Sequence, residues 1–268
     1  MGATYVMGDV HGHYDELLAL LCNGVDGHKL IDADNHWIGE DATLCFVGDY
    51  FDRGPDGLGV VNLIMQLEQE AAQAGGAVHA LLGNHDVFIL AAHRYRNSPV
   101  DAGGRFFMDW LAFGGQIDDI DGLTDAHVAW LQERPAMLNL NNRLIMHADA
   151  LFYVNYGNSI TRVNKAISDI LKNGTLREWA RLSEDFIERF TFYPRTVLGG
   201  SRGIERAWAM LGSFGGEQII HGHTPISVLT GQKPHQINQP LIYANALCVD
   251  VDGGIYQGSP GFLHRIPD

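Results

Sequence analysis

Short apolar runs alternate with stretches of helical periodicity along the first third of the chain. "TYVM" from Thr4, "TLCFV" from Thr43 and "VHALL" from Val78 have the length and the β-branched or aromatic content of buried strands. Each run precedes a helical pattern, near 14–21, over 58–72 and in "VFILAAHRY". This repetition of strand, loop and helix predicts an α/β layered fold.

The rest of the chain divides into helical blocks and strands. Region 94–142 contains "FFMDWLAF" and "DAHVAWLQE", and we expect it to be a helical cap over one face. A second helical block is predicted over 159–190. "RLIM" from Arg143, "QIIH" from Gln218 and the alternating tail after Pro240 predict further strands. With no repeat or linker between these parts, we expect one domain over 1–268.

Composition limits the classes of function. The chain has 268 residues, 46% of them hydrophobic, which is enough for a large core. Its formal charge of −14 argues against nucleic-acid or membrane partners, so a phosphate ligand would need a local cation. The sequence shows neither a membrane span nor a signal peptide, and we expect a cytoplasmic protein. Cys22, Cys45 and Cys248 lie in apolar contexts typical of reduced core thiols.

Chemically active residues gather directly after five predicted strands. Because the carboxyl ends of such strands line the ligand crevice of α/β proteins, the loops that follow them should meet in space. Aspartate and histidine are metal ligands, and glycines allow the backbone to turn tightly around a shared centre. We therefore predict a metal site, with two ions, from "GDVHG" (8–12), "GDYFDRG" (48–54), "GNHD" (83–86), "MHAD" (146–149) and "HGHTP" (221–225).

Each motif also has an ordinary structural explanation. Asp9 alone fits a helix-capping turn, "GNHD" fits an Asx-turn, and either histidine of "HGHTP" fits a surface side chain. "GDYFDRGPDG" is harder to explain in this way, because two acids and an arginine lie between glycines directly after a strand. All five motifs would need unrelated explanations in the same kind of position, so a shared site is the better interpretation.

The five motifs resemble those of the calcineurin-like metallophosphoesterase superfamily. Within it they resemble the phosphoprotein phosphatase branch, which also contains symmetrical diadenosine tetraphosphate hydrolases. The resemblance extends from Gly8 to Pro225 and implies an α/β (α+β) fold, a four-layer β-sandwich flanked by helices, with two metals at its upper edge. It implies a first metal bound by Asp9, His11 and His223, a second bound by Asn84, His147 and His221, and Asp49 as the bridge.

The ligand types agree with this resemblance. Imidazoles and carboxylates without thiolates suit manganese, iron, zinc or nickel, and we expect two divalent ions, manganese first among them. Two such ions about 3.5–4 Å apart can hold a hydroxide for in-line attack on phosphorus. A metal-held water then replaces a protein nucleophile, which fits the absence of a Ser-His-Asp or cysteine-centred motif.

The resemblance also implies catalytic and substrate-binding roles. His85 would be the general acid, Asp52 its orienting partner, and Arg53 a planar fork for two phosphoryl oxygens. Asn84 would face the substrate as well as the metal. A second phosphate-binding arginine is expected upstream of "HGHTP", where Arg195 and Arg202 are candidates and Arg202 is preferred.

Two acids depart from the pattern of the branch. Asp86 replaces a glutamate, and we expect a small effect on packing. Asp149 follows "MHA" where two glycines are common. We expect Asp149 to hydrogen-bond a ligand histidine, the alternative being repulsion of a charged substrate.

The sequence favours a metal-dependent phosphomonoesterase acting on phosphoserine or phosphothreonine proteins. The alternative substrate is a dinucleoside polyphosphate, whose base could stack on Phe107, Trp110 or Phe113, although aromatics at helical spacing are more often core residues. A nuclease fits poorly with the acidic charge. A non-catalytic recognition module would be expected to have lost a ligand or the acid, and every expected residue is present.

Overall fold

The computed structural model describes residues 2–193 and 200–267. Its first third confirms the predicted alternation of strands and helices. Strand β1 is followed by helix α1, β2 by α2, and β3 by α3. Their bounds are β1 (Thr4–Met7), α1 (Tyr14–Asn23), β2 (Thr43–Phe46), α2 (Gly57–Ala74), β3 (Ala77–Ala80) and α3 (Asn84–Tyr95).

The remaining elements begin with three helices and continue as a mixture of strands and helices. The helices α7 and α8 fall in the predicted block 159–190, whereas α9 was not predicted. The bounds are α4 (Arg105–Ala112), α5 (Ile117–Gly122), α6 (Asp125–Gln132), β4 (Met137–Leu140), β5 (Arg143–Met146), α7 (Ile160–Asn173), α8 (Leu176–Phe186), α9 (Gly200–Phe214), β6 (Gln218–His221), α10 (Ile226–Thr230), β7 (Leu241–Tyr243), β8 (Cys248–Asp250) and β9 (Leu263–Ile266).

The strands form two sheets. The first has the order β3-β2-β1-β9, with β1, β2 and β3 parallel and β9 antiparallel to β1. The second has the order β4-β5-β6-β8-β7, with β5, β6 and β8 parallel and antiparallel strands at both edges. Together with the flanking helices they make the sandwich that the motifs implied.

Successive side chains of each strand point to opposite faces of its sheet, and this alternation produces two core layers. Val6 and Cys45 of the first sheet share an apolar cluster with Ile145, Ile220 and Val249 of the second, which forms the core between the sheets. The neighbouring positions, such as Phe46 and Met146, belong to a larger core that includes the helices. Because both faces are buried, the parallel strands are almost continuously apolar. The three cysteines are free.

The cap is shorter than predicted. Helices α4, α5 and α6 occupy 105–132, but Met137–Leu140 is strand β4, paired with β5 in the second sheet. The predicted region 94–142 therefore extended too far, because a segment of four residues is too short for its periodicity to separate helix from strand.

The loops after β1, β2, β5 and β6 meet at one edge of the sandwich. The amides of Val10 and His11 donate to Asp49 O at 3.2 and 2.9 Å, and the amide of Gly222 donates to His147 O at 2.8 Å. These bonds fix loops that are remote in sequence against one another. Among the helices described, none combines the length and apolarity needed to cross a membrane.

Candidate metal centre

Asp49 lies at the centre of the gathered side chains. Its carboxylate belongs to two groups whose ligand atoms lie within 4.8 Å of one another, one with His11 and His85 and one with His147 and His223. All of these side chains are buried. A carboxylate with one oxygen towards each group has the geometry of a bridge between two cations.

Backbone carbonyls fix the protons of two imidazoles. His11 Nδ1 lies 3.0 Å from Phe51 O, and His147 Nδ1 lies 3.0 Å from Val47 O. A carbonyl only accepts, so Nδ1 carries the proton in both rings and each Nε2 presents a lone pair. Such carbonyl partners orient histidines that ligate metals.

The second group consists of electron-pair donors that face one another. His147 Nε2 lies 3.0 Å from Asn84 Oδ1 and 3.4 Å from Asp49 Oδ1. His223 Nδ1 lies 2.7 Å from Asn84 Oδ1 and 3.2 Å from His147 Nε2. Of the four atoms His147 Nε2, Asn84 Oδ1, Asp49 Oδ1 and His223 Nδ1, at least three carry no proton. Such a group of lone pairs can bind a divalent cation.

Asp9 and His11 form the other side of the centre. His11 Nε2 is 3.6 Å from Asp49 Oδ2 and 3.9 Å from Asp9 Oδ2. Both oxygens of Asp9 also accept from the amide of His223 at 3.1 Å. Asp9 therefore connects the two groups.

The arrangement corrects the predicted grouping of the two histidines in "HGHTP". His223, expected with Asp9 and His11, lies with Asn84 and His147 instead. His221 lies apart from this cluster in its contacts, with Nε2 2.7 Å from Tyr243 Oη and Nδ1 3.0 Å from Gly222 O. The ring nitrogens of His221 thus face Tyr243 and Gly222 and not the other ligand atoms, so we assign His221 to neither ligand group.

The protonation of the centre favours metal binding. Burial lowers the pKa of His11, His147 and His223, so these rings are neutral ligands. Burial alone would raise the pKa of Asp49, but the surrounding histidines, His147 foremost, hold it well below its usual range. Asp49 is thus ionised and can bind a cation.

A hydrogen-bonded chain leads from His85 into the cap. His85 Nδ1 lies 2.6 Å from Asp52 Oδ2, which matches the predicted pair. Trp110 of α4 donates its indole N–H to the other oxygen, Asp52 Oδ1, at 2.7 Å. Trp110 was considered only as a core or base-stacking aromatic, and nothing local in the sequence links it to a residue 58 positions away.

Arg53 contacts both histidines of the first ligand group. Its guanidinium nitrogens are 2.8 Å from His11 Nε2 and 2.9 Å from His85 Nε2, and its Cζ is 4.0 Å from the centre of the Tyr256 ring. Tyr256, which was interpreted as part of a structural tail, therefore orients Arg53 by a cation–π contact. The "GG" before Ile255 marks a turn, but nothing local in the sequence links that turn to the site.

Several site residues have a left-handed backbone, which is uncommon for residues with a Cβ. The φ angles are 50° at His11, 57° at Asp49, 72° at Asp52, 71° at Arg53 and 74° at His223. Such conformations cost energy and concentrate at functional sites. The surrounding loops hold these side chains in place against that cost.

Asp86 fixes the loop that carries Asp49. Its Oδ2 accepts from the amides of Asp49 and Gly83 at 2.9 and 2.8 Å, and its Oδ1 accepts from the amide of Tyr50 at 3.0 Å. Because its shorter side chain makes three backbone hydrogen bonds, Asp86 has a structural role at the start of α3.

Asp149 does not make the predicted bond to a ligand histidine among the described residues. Its Oδ1 accepts from the amide of Phe190 at 2.9 Å, so it anchors the segment after α8. Burial raises the pKa of Asp149, while the charges of His221 and then Arg189 act in the opposite direction. Asp149 thus lies near His221 and supports the wall of the site.

The second arginine differs from the prediction. Arg202 is exposed on the first turn of α9, with no described contact to the centre, and Arg195 lies outside the described residues. Burial lowers the pKa of His223 and raises that of Asp252 to about 7, and the charge of Arg189 acts to lower both. Arg189 is therefore a further cation near the centre.

The aromatic residues of the cap do not form a ready stacking site for a base. Trp110 is buried, Phe107 packs on it with ring centres 5.7 Å apart, and Phe113 is stacked on Phe88 at 5.2 Å. Only Phe113 of the three presents half of its surface to solvent, at 49%.

The sequence pattern of the calcineurin-like phosphoesterase family matches residues 3–227. This range covers most of the chain and all five motifs. The chain therefore belongs to the calcineurin-like phosphoesterase family.

Individual relatives agree with this membership. Over 101 residues the chain is 43% identical to the symmetrical bis(5'-nucleosyl)-tetraphosphatase of Escherichia coli, an alignment spanning 37% of this chain and 30% of that relative. The cold-active protein-tyrosine phosphatase of a psychrophilic Shewanella species has a TM-score of 0.67 at 23% identity, covering 98% of this chain and 74% of that chain. A serine/threonine phosphatase of Saccharomyces cerevisiae has a TM-score of 0.53 at 14% identity, covering 97% and 70%. The two structural likenesses concern the fold alone.

Proposed function

We propose that this protein is a dinuclear metal-dependent phosphomonoesterase acting on phosphoserine and phosphothreonine in proteins. The observation that carries the proposal is the position of Asp49 in two ligand groups, beside a His85–Asp52 pair. A carboxylate bridge and a proton donor are what hydrolysis of a phosphoester requires. One domain over 1–268 with its cap over 105–132 is part of this proposal.

The two ion sites follow from the grouping of the ligands. Asp9, His11 and Asp49 would hold the first ion, and Asp49, Asn84, His147 and His223 would hold the second. The donor set suits manganese, and also iron, zinc or nickel. When bound, the ions would activate water and withdraw charge from the phosphoryl group.

Arg53 would bind the phosphoryl oxygens, and Arg189 would add a second positive charge near them. Arg53 presents a planar pair of N–H groups, which suits two oxygens of one phosphate. Its stacking on Tyr256 holds the plane in place. To receive a phosphate, Arg53 exchanges its contacts with His11 and His85 for contacts with the substrate.

His85 would supply the proton that the leaving oxygen needs. Its Nδ1–H is held by Asp52, so its Nε2 faces the centre. Asp52 cannot turn freely, because Trp110 holds its other oxygen. This arrangement fixes the direction of proton transfer.

A dinucleoside tetraphosphate is the second candidate substrate. It is favoured by the 43% identity to the tetraphosphatase of Escherichia coli over 101 residues. The dinuclear centre and His85 would act in the same way on such a substrate, and only the contacts beyond the phosphates would differ.

Hydrolysis of two substrates by the manganese-loaded chain tests the proposal. We expect release of phosphate from a phosphoserine peptide, loss of activity with a chelator, and recovery on adding manganese. If only diadenosine tetraphosphate is cleaved, the proposed phosphoprotein substrate is wrong and the dinucleoside tetraphosphate takes its place. If neither substrate is cleaved with any of several divalent metals, the proposal that the protein is an enzyme is wrong. Asp49→Asn is the matched variant, and we expect it to lose both ions and activity.

A further inference from the structure

A cavity of about 560 Å³ lies in the cap beside the candidate centre. Helices α3, α4 and α8 contribute to its walls, and its apolar lining includes Phe88, Phe106, Phe113 and Ile187. Phe113 and Ile187 are exposed at 49% and 42%. We call this cavity the cap groove. Its volume falls within the range of ligand pockets.

The cap groove begins next to the proposed general acid. Phe88 lies one turn after His85 on α3, with their ring centres 5.7 Å apart, and Phe88 stacks on Phe113. A general acid marks the side from which the leaving group departs. In a phosphoprotein the leaving group is the protein itself, so a groove that begins beside His85 lies where the substrate chain would leave the centre.

The rim of the cap groove is acidic. Asp101, Asp109 and Glu184 line it, and Arg105 is its one basic residue among the described lining. Arg105 lies 3.3 Å from Asp109, which offsets that pair of charges. Asp101 and Glu184, both exposed, leave the rim with a net negative charge.

We infer that the cap groove is a substrate subsite that binds residues flanking the phosphorylated residue, with one apolar side chain on the aromatic floor and a basic side chain at the acidic rim. This inference rests on the proposed phosphomonoesterase function and names its substrate class. Apolar burial supplies affinity and the rim charges supply selectivity.

The same features disfavour a nucleotide in the cap groove. The phosphate chain of a dinucleoside polyphosphate would bring further negative charge beside Asp101 and Glu184, which repel it. Phe88 and Phe113 stack on each other at 5.2 Å, so a base cannot be sandwiched between the two rings.

Three phosphoserine peptides test the inference on the manganese-loaded chain. The first peptide carries one leucine and one lysine on each side of the phosphoserine. In the second peptide glutamate replaces each lysine, and in the third asparagine replaces each leucine. We expect kcat/KM for the first to exceed that for the second by about tenfold. It should exceed that for the third by about fivefold.

Asp101→Lys/Glu184→Lys should reverse the preference between the lysine and glutamate peptides. Asp34→Lys/Asp41→Lys is the matched control, because it makes the same change in net charge at exposed acids outside the cap groove. This control should keep the wild-type ratio of kcat/KM for the lysine peptide to kcat/KM for the glutamate peptide. Using ratios between peptides removes differences in metal loading.

The outcomes separate this inference from the proposed function. Equal cleavage of all three peptides, or a reversal by the control variant as well, would overturn the inference and leave the phosphomonoesterase intact. Cleavage of diadenosine tetraphosphate without cleavage of any peptide would overturn both.

Discussion

Trp110 donates its indole N–H to Asp52 Oδ1 at 2.7 Å, while the other oxygen of Asp52 lies 2.6 Å from His85 Nδ1. A helix of the cap is thereby joined to the loop after β2 and, through it, to the proposed proton donor. Trp110 is 1% exposed, so this bond is shielded from water. We regard Trp110 as a positioning residue for the His85–Asp52 pair.

Replacing Trp110 by phenylalanine should impair proton donation. Trp110→Phe keeps an apolar ring but removes the N–H, so we expect kcat for an alkyl phosphate to fall by about tenfold, the scale of a hydrogen bond to a charged group. The loss should shrink with para-nitrophenyl phosphate, whose leaving group needs little protonation.

Trp179→Phe is the matched control for this substitution. Trp179 is equally buried, and its Nε1 has no hydrogen-bond partner among the described residues. Trp179→Phe should leave unchanged the ratio of kcat for the alkyl phosphate to kcat for para-nitrophenyl phosphate. An equal loss on both phosphates in Trp110→Phe would show a merely structural role.

His85→Asn should separate catalysis from metal binding. We expect both ions to remain and kcat for the alkyl phosphate to fall by about 10²–10⁴-fold, the usual contribution of a general acid. Rates and metal content measured on the same preparation check this. Loss of an ion would instead make His85 a ligand of the first group.

The two histidines of "HGHTP" should behave differently on removal. His223→Ala deletes a donor that lies 2.7 Å from Asn84 Oδ1, so the second ion should bind more weakly by more than the about 10–100-fold lost with an outer partner. His221→Ala should weaken it less. Titration of each apoprotein with manganese distinguishes them, and the opposite order would restore the grouping predicted from the motifs.

Asp119 should make stability depend on pH. Burial raises its pKa to about 6, although the amide of Leu58 donates to it at 3.0 Å. Because the folded pKa exceeds that of the unfolded chain, the ionised form destabilises the fold, and stability falls as pH rises from about 4 through 6.

Asp119→Asn should remove this dependence. The amide oxygen can still accept from Leu58, so the variant should equal the wild type in free energy of unfolding at pH 4. At pH 7 the free energy of unfolding of the variant should exceed that of the wild type by about 1 kcal/mol, after allowance for solvent screening. Urea unfolding with a chelator present measures the difference. Lower stability of the variant at pH 7 would mean that the carboxylate's interaction with the start of α2 outweighs its burial.

The sequence predicted the site residues that lie directly after a strand. The apolar runs before Asp9, Asp49 and Asn84 were long enough to predict, and the loops after parallel strands converge by topology. The position of Trp110 beside Asp52 was not predictable, because the two residues are joined only through packing of the cap. The same holds for Tyr256 over Arg53.

The two histidines of "HGHTP" show a different limit. His221 and His223 have the same chemistry, and which of them faces the centre depends on the backbone between them. His223 has a φ of 74°, which turns its ring towards Asn84 and His147. Motif spacing carries no information about that angle. The end of the cap was misplaced for a similar reason, because the pairing of β4 with β5 decides it.

Anomalous diffraction from crystals grown with manganese tests the central claim most directly. We predict two peaks per chain, both in contact with Asp49, one also bound by Asp9 and His11 and the other by Asn84, His147 and His223. A single peak, or two peaks that share no ligand, would contradict the account.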